Sequence, residues 1–323
     1  MSQNTENWTR FLPTSMRSWR DAGILLPFAI LFLALSFLSD PFLSSVNLLN
    51  ILDQQSGILI IAAAGTLILV SGSIDLSVGA TYALVGCVSA QFALSHSVFS
   101  SIVLGLLLGL GVGIVNGVIV AVFKINSLIA TLAMSFVISG LGAKLTGGNL
   151  IILLEKPEYG KIAQTVWFGV NTSIWIMVFV VICLGLLLTR TTTGRYIIAA
   201  GGNSQAARLA GIRVSLVKII AFGLSGMAAG LAGMIDASRV LSASSTLGST
   251  LAFTVLAGIV VGGTSIAGGE GSVWRTVFGV LFIALIGNGF DLIGIDPLFK
   301  QIALGTILLV AVGLDSWARN NRR

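Results

Sequence analysis

Ten runs of mostly apolar residues dominate this chain: 22–39, 51–71, 74–94, 98–123, 126–145, 171–189, 216–238, 249–267, 273–291 and 297–315. Each is close to the roughly 20 residues a helix needs to cross the bilayer's hydrocarbon core. Open strands would leave backbone groups without partners in lipid, and a barrel would show alternating segments of about ten residues. These runs are longer and do not alternate, so they read as helices. Apolar residues make up 55% of the chain and charged residues only 9%, against about 25% charged in an ordinary soluble domain. The sequence therefore describes one all-α integral membrane domain over 1–323. The stretch before the first run is polar and basic, without a small-residue cleavage site after it, so 22–39 reads as a retained span.

Lys and Arg set the orientation, because they concentrate in cytoplasmic loops. With ten spans and a cytoplasmic N-terminus, five of the 18 basic residues fall outside: Lys144, Lys156, Lys161, Arg239 and Lys300. The remainder fall inside, including the tails 1–21 and 316–323. The longest exterior loop, 146–170, carries Glu155 and Glu158 and is the natural meeting place for an extracytoplasmic partner. The net charge of +6 does not imply nucleic acid, since no basic patch is interleaved with aromatics.

Gly105, Gly109, Gly113 and Gly117 recur every four residues on one face of the fourth run, and Gly226, Gly230 and Gly233 lie in the seventh. In lipid, small residues of this kind let helix backbones approach closely. Catalytic patterns are missing. No P-loop, HExxH or GxSxG occurs; His96 has no nearby acid or Cys; and Cys87 and Cys183 lie far apart in apolar segments. The sequence implies neither a resident metal nor a cofactor.

Polar interruptions carry the remaining information. Ser71-Gly72-Ser73-Ile74-Asp75-Leu76-Ser77 separates the second and third runs. An acid at the bilayer centre costs about 2.5–3.5 kcal/mol on insertion scales, so Asp75 must be hydrogen-bonded, near an interface or facing water. The segment suits a broken helix, with Ser73 or Asp75 as a cap for the third run. A second glycine-rich interruption covers Gly262–Gly271. Candidate path or gate residues are Ser71, Asp75, Asn116, Asn126, Thr131 and Asn288; each could equally hydrogen-bond a neighbouring helix.

The largest interruption is a basic island, 189–218, read as loop, short helix and loop. Asn203 or Ser204 is a good N-cap, the residues from Gln205 to Ala210 favour helix, and Gly211 stands where a helix-terminating glycine belongs. A helix of about two turns is marginal alone and needs a surface to pack on. These residues fit equally a protein partner or lipid headgroups, whose phosphates the arginines would hold.

Five stretches, SGSIDLSVGA (71–80), 115–142, 191–219, SGMAAGLAGMIDASR (225–239) and VVGGTSIAGGEGS (260–272), resemble the membrane permeases of ATP-binding-cassette sugar importers of the ribose type, related to the branched-chain amino acid permeases. The likeness covers nearly the whole chain. It implies a type II importer bundle with broken helices and both termini cytoplasmic, in a bacterial inner membrane. It also implies a non-catalytic subunit with three kinds of partner: a cytoplasmic ATPase that uses ATP and Mg, a periplasmic sugar-binding protein, and a second permease, identical or related. The family's Gly-Asn-x-x-Ala-x-Arg-x-x-Gly-Ile pattern docks on the ATPase and matches Gly202, Asn203, Ala206, Arg208, Gly211 and Ile212. Two positions depart from the family. Ser73 replaces a usual second glycine, and Thr250-Leu251-Ala252-Phe253-Thr254 lacks acids that the family tends to carry. The expected function is import of a monosaccharide or similar small polyol by alternating access. The rival readings are an ion-gradient-driven carrier or channel, which would transport alone, and a membrane-embedded enzyme, for which no paired acids or triad are visible.

Overall fold

The computed structural model describes residues 15–248, 250–296 and 298–320. Each of the ten apolar runs carries a helix: α1 (Ser15–Leu38), α2 (Ser45–Val70), α3 (Val78–Ser95), α4 (Val98–Ala121), α5 (Ser127–Thr146), α7 (Thr172–Arg190), α10 (Val214–Val240), α11 (Leu251–Val261), α12 (Val273–Ile293) and α13 (Leu298–Asn320). Between them lie the short helices α6 (Lys161–Gln164), α8 (Thr192–Gly202) and α9 (Ser204–Leu209). Among the described residues, seven helices are long and apolar enough to cross a membrane: α2, α3, α4, α5, α7, α10 and α12. The expected tail 1–21 lies outside the described residues up to position 14 and is helical from Ser15. The other expected tail, 316–323, is helical to Asn320, its last three residues lying outside.

The run at 249–267 does not form the single span its apolarity suggested. Helix α11 has 11 residues, about 16 Å at 1.5 Å per residue, which is roughly half of a bilayer core. Its apolar stretch ends at Gly262 and the turn of Gly263, whose φ of +81° suits glycine alone.

Helix α2 is the centre of the bundle. From Leu59 to Val70 its side chains are almost all buried, which explains an apolar run without a polar face. The glycine ladder of α4 meets α10, as its spacing predicts. A β-carbon on Gly109 would stand 2.5 Å from the carbonyl oxygen of Gly226, and one on Gly117 would stand 2.8 Å from the Cα of Ile219. Gly233 serves a different contact, on α3 at Tyr82 and Gly86. The outer faces of α4 and α5 expose Leu107, Val115, Phe136 and Val137, as lipid-facing surfaces require.

The expected exterior loop is a folded element. Strand β1 (Ile151–Ile152) pairs antiparallel with β4 (Ser242–Ala243), and β2 (Val166–Trp167) pairs with β3 (Val170–Asn171). Tyr159 is fully buried there, its hydroxyl 2.9 Å from that of Ser89 on α3. Glu155 and Glu158 are both exposed.

Two breaks organise the interior. The segment 71–77 joins α2 to α3, and 241–250 joins α10 to α11. The first turns of α3 and α11 abut, with a β-carbon on Gly248 standing 2.5 Å from the carbonyl oxygen of Gly79. A side chain at either glycine would separate the two half-elements.

Candidate translocation and coupling site

The break at 71–77 is held by neighbouring helices. The carboxylate of Asp75 accepts from the backbone N–H of Ser77 at 2.9 Å and from its hydroxyl at 2.6 Å. Its other oxygen accepts from Ser225 on α10 at 3.3 Å. Asn116 on α4 donates to the Ser77 hydroxyl at 2.7 Å. From the first two turns of α5, the hydroxyl of Ser127 accepts from the N–H of Ile74 at 3.1 Å, and that of Thr131 from the N–H of Leu76 at 3.0 Å. Every freed backbone N–H named here has a side-chain acceptor, which is what permits irregular backbone inside a membrane protein. Neither Ser73 nor Asp75 caps α3. Asp75 closes an Asx turn two residues long instead.

Three of the six candidate path residues, Asp75, Asn116 and Thr131, therefore meet in one cluster. The other three do not join it. Ser71 donates to Ile68 within its own helix at 2.7 Å, and Asn126 caps α5 through the N–H groups of Leu128 and Ile129. Asn288 exchanges two hydrogen bonds with Asn47, at 2.9 and 3.2 Å, elsewhere in the bundle.

The short helix foreseen at the island is α9. The Asn203 side chain accepts from Gln205 and Ala206, both at 3.0 Å. At its other end Gly211 has φ +83°, its N–H donates to Arg208, and that of Ile212 donates to Ala207. This is a Schellman ending. Leu209 is 92% exposed beside Arg208. The stretch before it, expected as loop, is helix α8. Thr191 caps it at Gly194, and Ile197 and Ala200 are buried on one face. That face, with Gly194, carries only two apolar side chains, and the flanking Thr, Gly and Arg concealed it in the sequence.

Helix α8 ends where both interior interruptions meet. A β-carbon on Gly201 would collide with the carbonyl oxygen of Val70 and stand 2.8 Å from the backbone nitrogen of Gly269. Gly269 donates its N–H to that same Val70 oxygen at 2.8 Å. A β-carbon on Gly268 would stand 2.7 Å from the Cα of Gly72. The island, the break at 71–77 and the turn at 262–271 are thus packed backbone on backbone. Gly72 has φ +75°, whereas Ser73 is outside the positive-φ region, so serine brings no backbone strain there, and its buried hydroxyl is left without a hydrogen-bond partner among the described residues.

One charged group escaped the sequence reading. Tyr82 on α3 donates to Asp236 on α10 at 2.5 Å, and Arg239 binds Asp236 from one turn along. Arg239 also donates to the backbone oxygen of Asp53 at 2.6 Å, and Ser173 on α7 donates to the Asp53 carboxylate. The available signal was the spacing of Asp236 and Arg239, three residues apart and so on one helix face.

Among the described residues, two cavities flank α2 and α11. One of about 520 Å³ lies between α2, α11, α12 and α13, at the end of the bundle away from α8 and α9. A small gap lies under Asp75, between Gly65, Ile68 and Val255. A third, of about 370 Å³, opens beside α9 and is lined by Gly72, Ser73, Lys124, Asn126, Arg208 and Lys218.

The profile of the branched-chain amino acid transport system / permease component family matches residues 47–312. The chain belongs to that family. It is 36% identical over 300 residues to the ribose import permease protein RbsC of Escherichia coli (strain K12), covering 90% of this chain and 92% of that one. It is 37% identical over 310 residues to the L-arabinose transport system permease protein AraH of the same strain, covering 95% and 94%. The ribose import permease protein RbsC of Bacillus subtilis (strain 168) is 38% identical over 296 residues, covering 91% and 92%. No solved structure matches the chain. The resemblance drawn from the motifs therefore holds: this is a multi-pass membrane permease of the ABC importer kind.

Proposed function

We propose that this chain carries a monosaccharide or similar small polyol across the bacterial inner membrane, powered by a separate cytoplasmic ATPase and fed by a periplasmic binding protein. A second permease, identical or related, completes the path. Its relatives by name import ribose or arabinose. In this orientation the α8–α9 end faces the cytoplasm, and the folded 147–171 element faces outward, where it meets the binding protein.

The observation that carries this reading is the glycine contact joining α8 to the break at 71–77 and to the turn at 262–271. An ATPase gripping Arg208 and Leu209 of α9 would push α8. Gly201 packs on Val70 and Gly72, which lie within a few residues of Asp75. Close-packed interiors transmit small displacements rather than absorbing them, so motion outside the membrane reaches the break within it. Hydrolysis stays with the partner, which holds the ATP and Mg.

Reconstitution tests the reading. In liposomes the chain alone should give no uptake. With the ATPase that copurifies with it and a sugar-binding protein, uptake should follow ATP. Uptake by the chain alone under an ion gradient would replace this reading with a secondary carrier.

A further inference from the structure

The 520 Å³ cavity between α2, α11, α12 and α13 has a chemistry of its own. Its α2 wall presents Asn47, Asn50, Gln54 and Gln55, and its α12 wall Asn288 and Asp291. Among the described residues no Lys or Arg lines it. Asn50 and Gln54 are exposed and Gln55 is half-exposed. Among the described residues, the side-chain amides of Asn50, Gln54 and Gln55 have no hydrogen-bond partner, whereas Asn47 and Asn288 bind each other.

Lipid is a poor occupant for such a wall. An amide moved from water into a hydrocarbon without a hydrogen bond costs about 4–8 kcal/mol, and three stand together along two turns of α2. Water or a polar solute must fill the space. Each primary amide offers two donors and an acceptor, the pattern that a ring of hydroxyls satisfies. The described lining offers no cation to an anionic solute. The floor is apolar, formed by Ile58, Val280 and Ile283, which suits the C–H faces of a sugar ring. The volume falls within the roughly 300–1,000 Å³ of small-molecule sites.

We infer that this amide-lined cavity is a contact site for a neutral polyhydroxylated solute of monosaccharide size, entered from the end opposite α8 and α9. The inference rests on the proposed sugar import and names the residues that meet the cargo. The Asn47–Asn288 pair bridges α2 and α12 at the mouth, and the solute competes for those two amides.

The test uses the assembled importer in proteoliposomes, with Cys87 and Cys183 replaced by Ser. Gln54→Cys and, as a second variant on the same wall, Asn50→Cys are exposed to a membrane-impermeant methanethiosulfonate reagent. The probes are D-ribose, L-arabinose, D-xylose, D-glucose and D-galactose at millimolar concentration, with gluconate as a charged comparison. Modification of either cysteine, slowed at least fivefold by one of the sugars and less than twofold by gluconate, is the expected result. Cysteines that stay unmodified, or that react at a rate no sugar changes, overturn the inference. The wider reading fails separately, when the wild-type assembly shows no ATP-driven uptake of any of the five sugars. Protection without such uptake would keep the site and remove the power source.

Discussion

Gly201 of α8 lies directly against the backbone carbonyl oxygen of Val70, the residue that ends α2, leaving no room for a β-carbon. The two residues belong to the cytoplasm-facing island and the membrane interior on the proposed orientation, and they touch without an intervening side chain. Gly201→Ala should therefore force α8 away from α2. Overpacking of this kind costs about 1–3 kcal/mol. The variant should lose thermal stability in detergent and at least tenfold of ATP-driven uptake. Gly211→Ala would strain the α9 ending without touching α2, so it should leave the melting transition of the bundle nearer to wild type.

Arg208 and Leu209 lie on the exposed side of α9. Arg208→Glu reverses the charge while leaving the Asn203 cap and the Gly211 ending in place. The expected outcome is loss of the copurifying ATPase with an unchanged fold by circular dichroism. Undiminished association together with undiminished uptake would remove α9 from the coupling role.

What the sequence made legible here was local. The α9 helix announced itself through Asn203 and Gly211, because capping acts within three residues of its own position. The glycine ladder of α4 was legible for the same reason: its period is that of one helix face. Relationships over long separations were not. Asn288 was named as a path residue, yet its partner Asn47 is 241 positions away. The pairing of Ile151 with Ala243 turned an expected loop into a folded element. Helix α11 has only 11 residues although apolar sequence surrounds it, since the close approach of Gly248 to Gly79 precedes its start and the turn at Gly262 and Gly263 ends it. The roles assigned to Asp75 and Asn116 rest on a cluster that only the fold assembles.

Asp75 accepts three hydrogen bonds, from the Ser77 backbone, the Ser77 hydroxyl and Ser225. Asp75→Asn keeps one acceptor oxygen for the two Ser77 donors and turns the other into a donor, which the Ser225 hydroxyl, rotated to accept, can satisfy. Leaving a buried donor unsatisfied costs about 1–3 kcal/mol. Asp75→Asn alone should therefore lose less than that, and adding Ser225→Ala should bring the full loss, because it removes the acceptor the new amide relies on. A double-mutant cycle by thermal unfolding checks the coupling. Independent, additive losses would show that Ser225 does not hold the break.

Arg239 joins α10 to α2 and α3 through Asp236, whose other oxygen takes the Tyr82 hydroxyl, and through the backbone of Asp53. Both side chains of the ion pair are largely buried, at 22% and 19% exposure. Arg239→Met leaves the Asp236 carboxylate without its cation, and removing one partner of a buried pair costs about 3–5 kcal/mol. Asp236→Asn combined with Arg239→Met removes both charges and should be the more stable of the two variants, although it carries one more substitution. Tyr82 would still find an amide oxygen to donate to. The measurement is the unfolding transition of both variants in the same detergent. If the double variant melted no higher than the single one, the packing of the arginine stem, rather than its charge, would be what ties the three helices together.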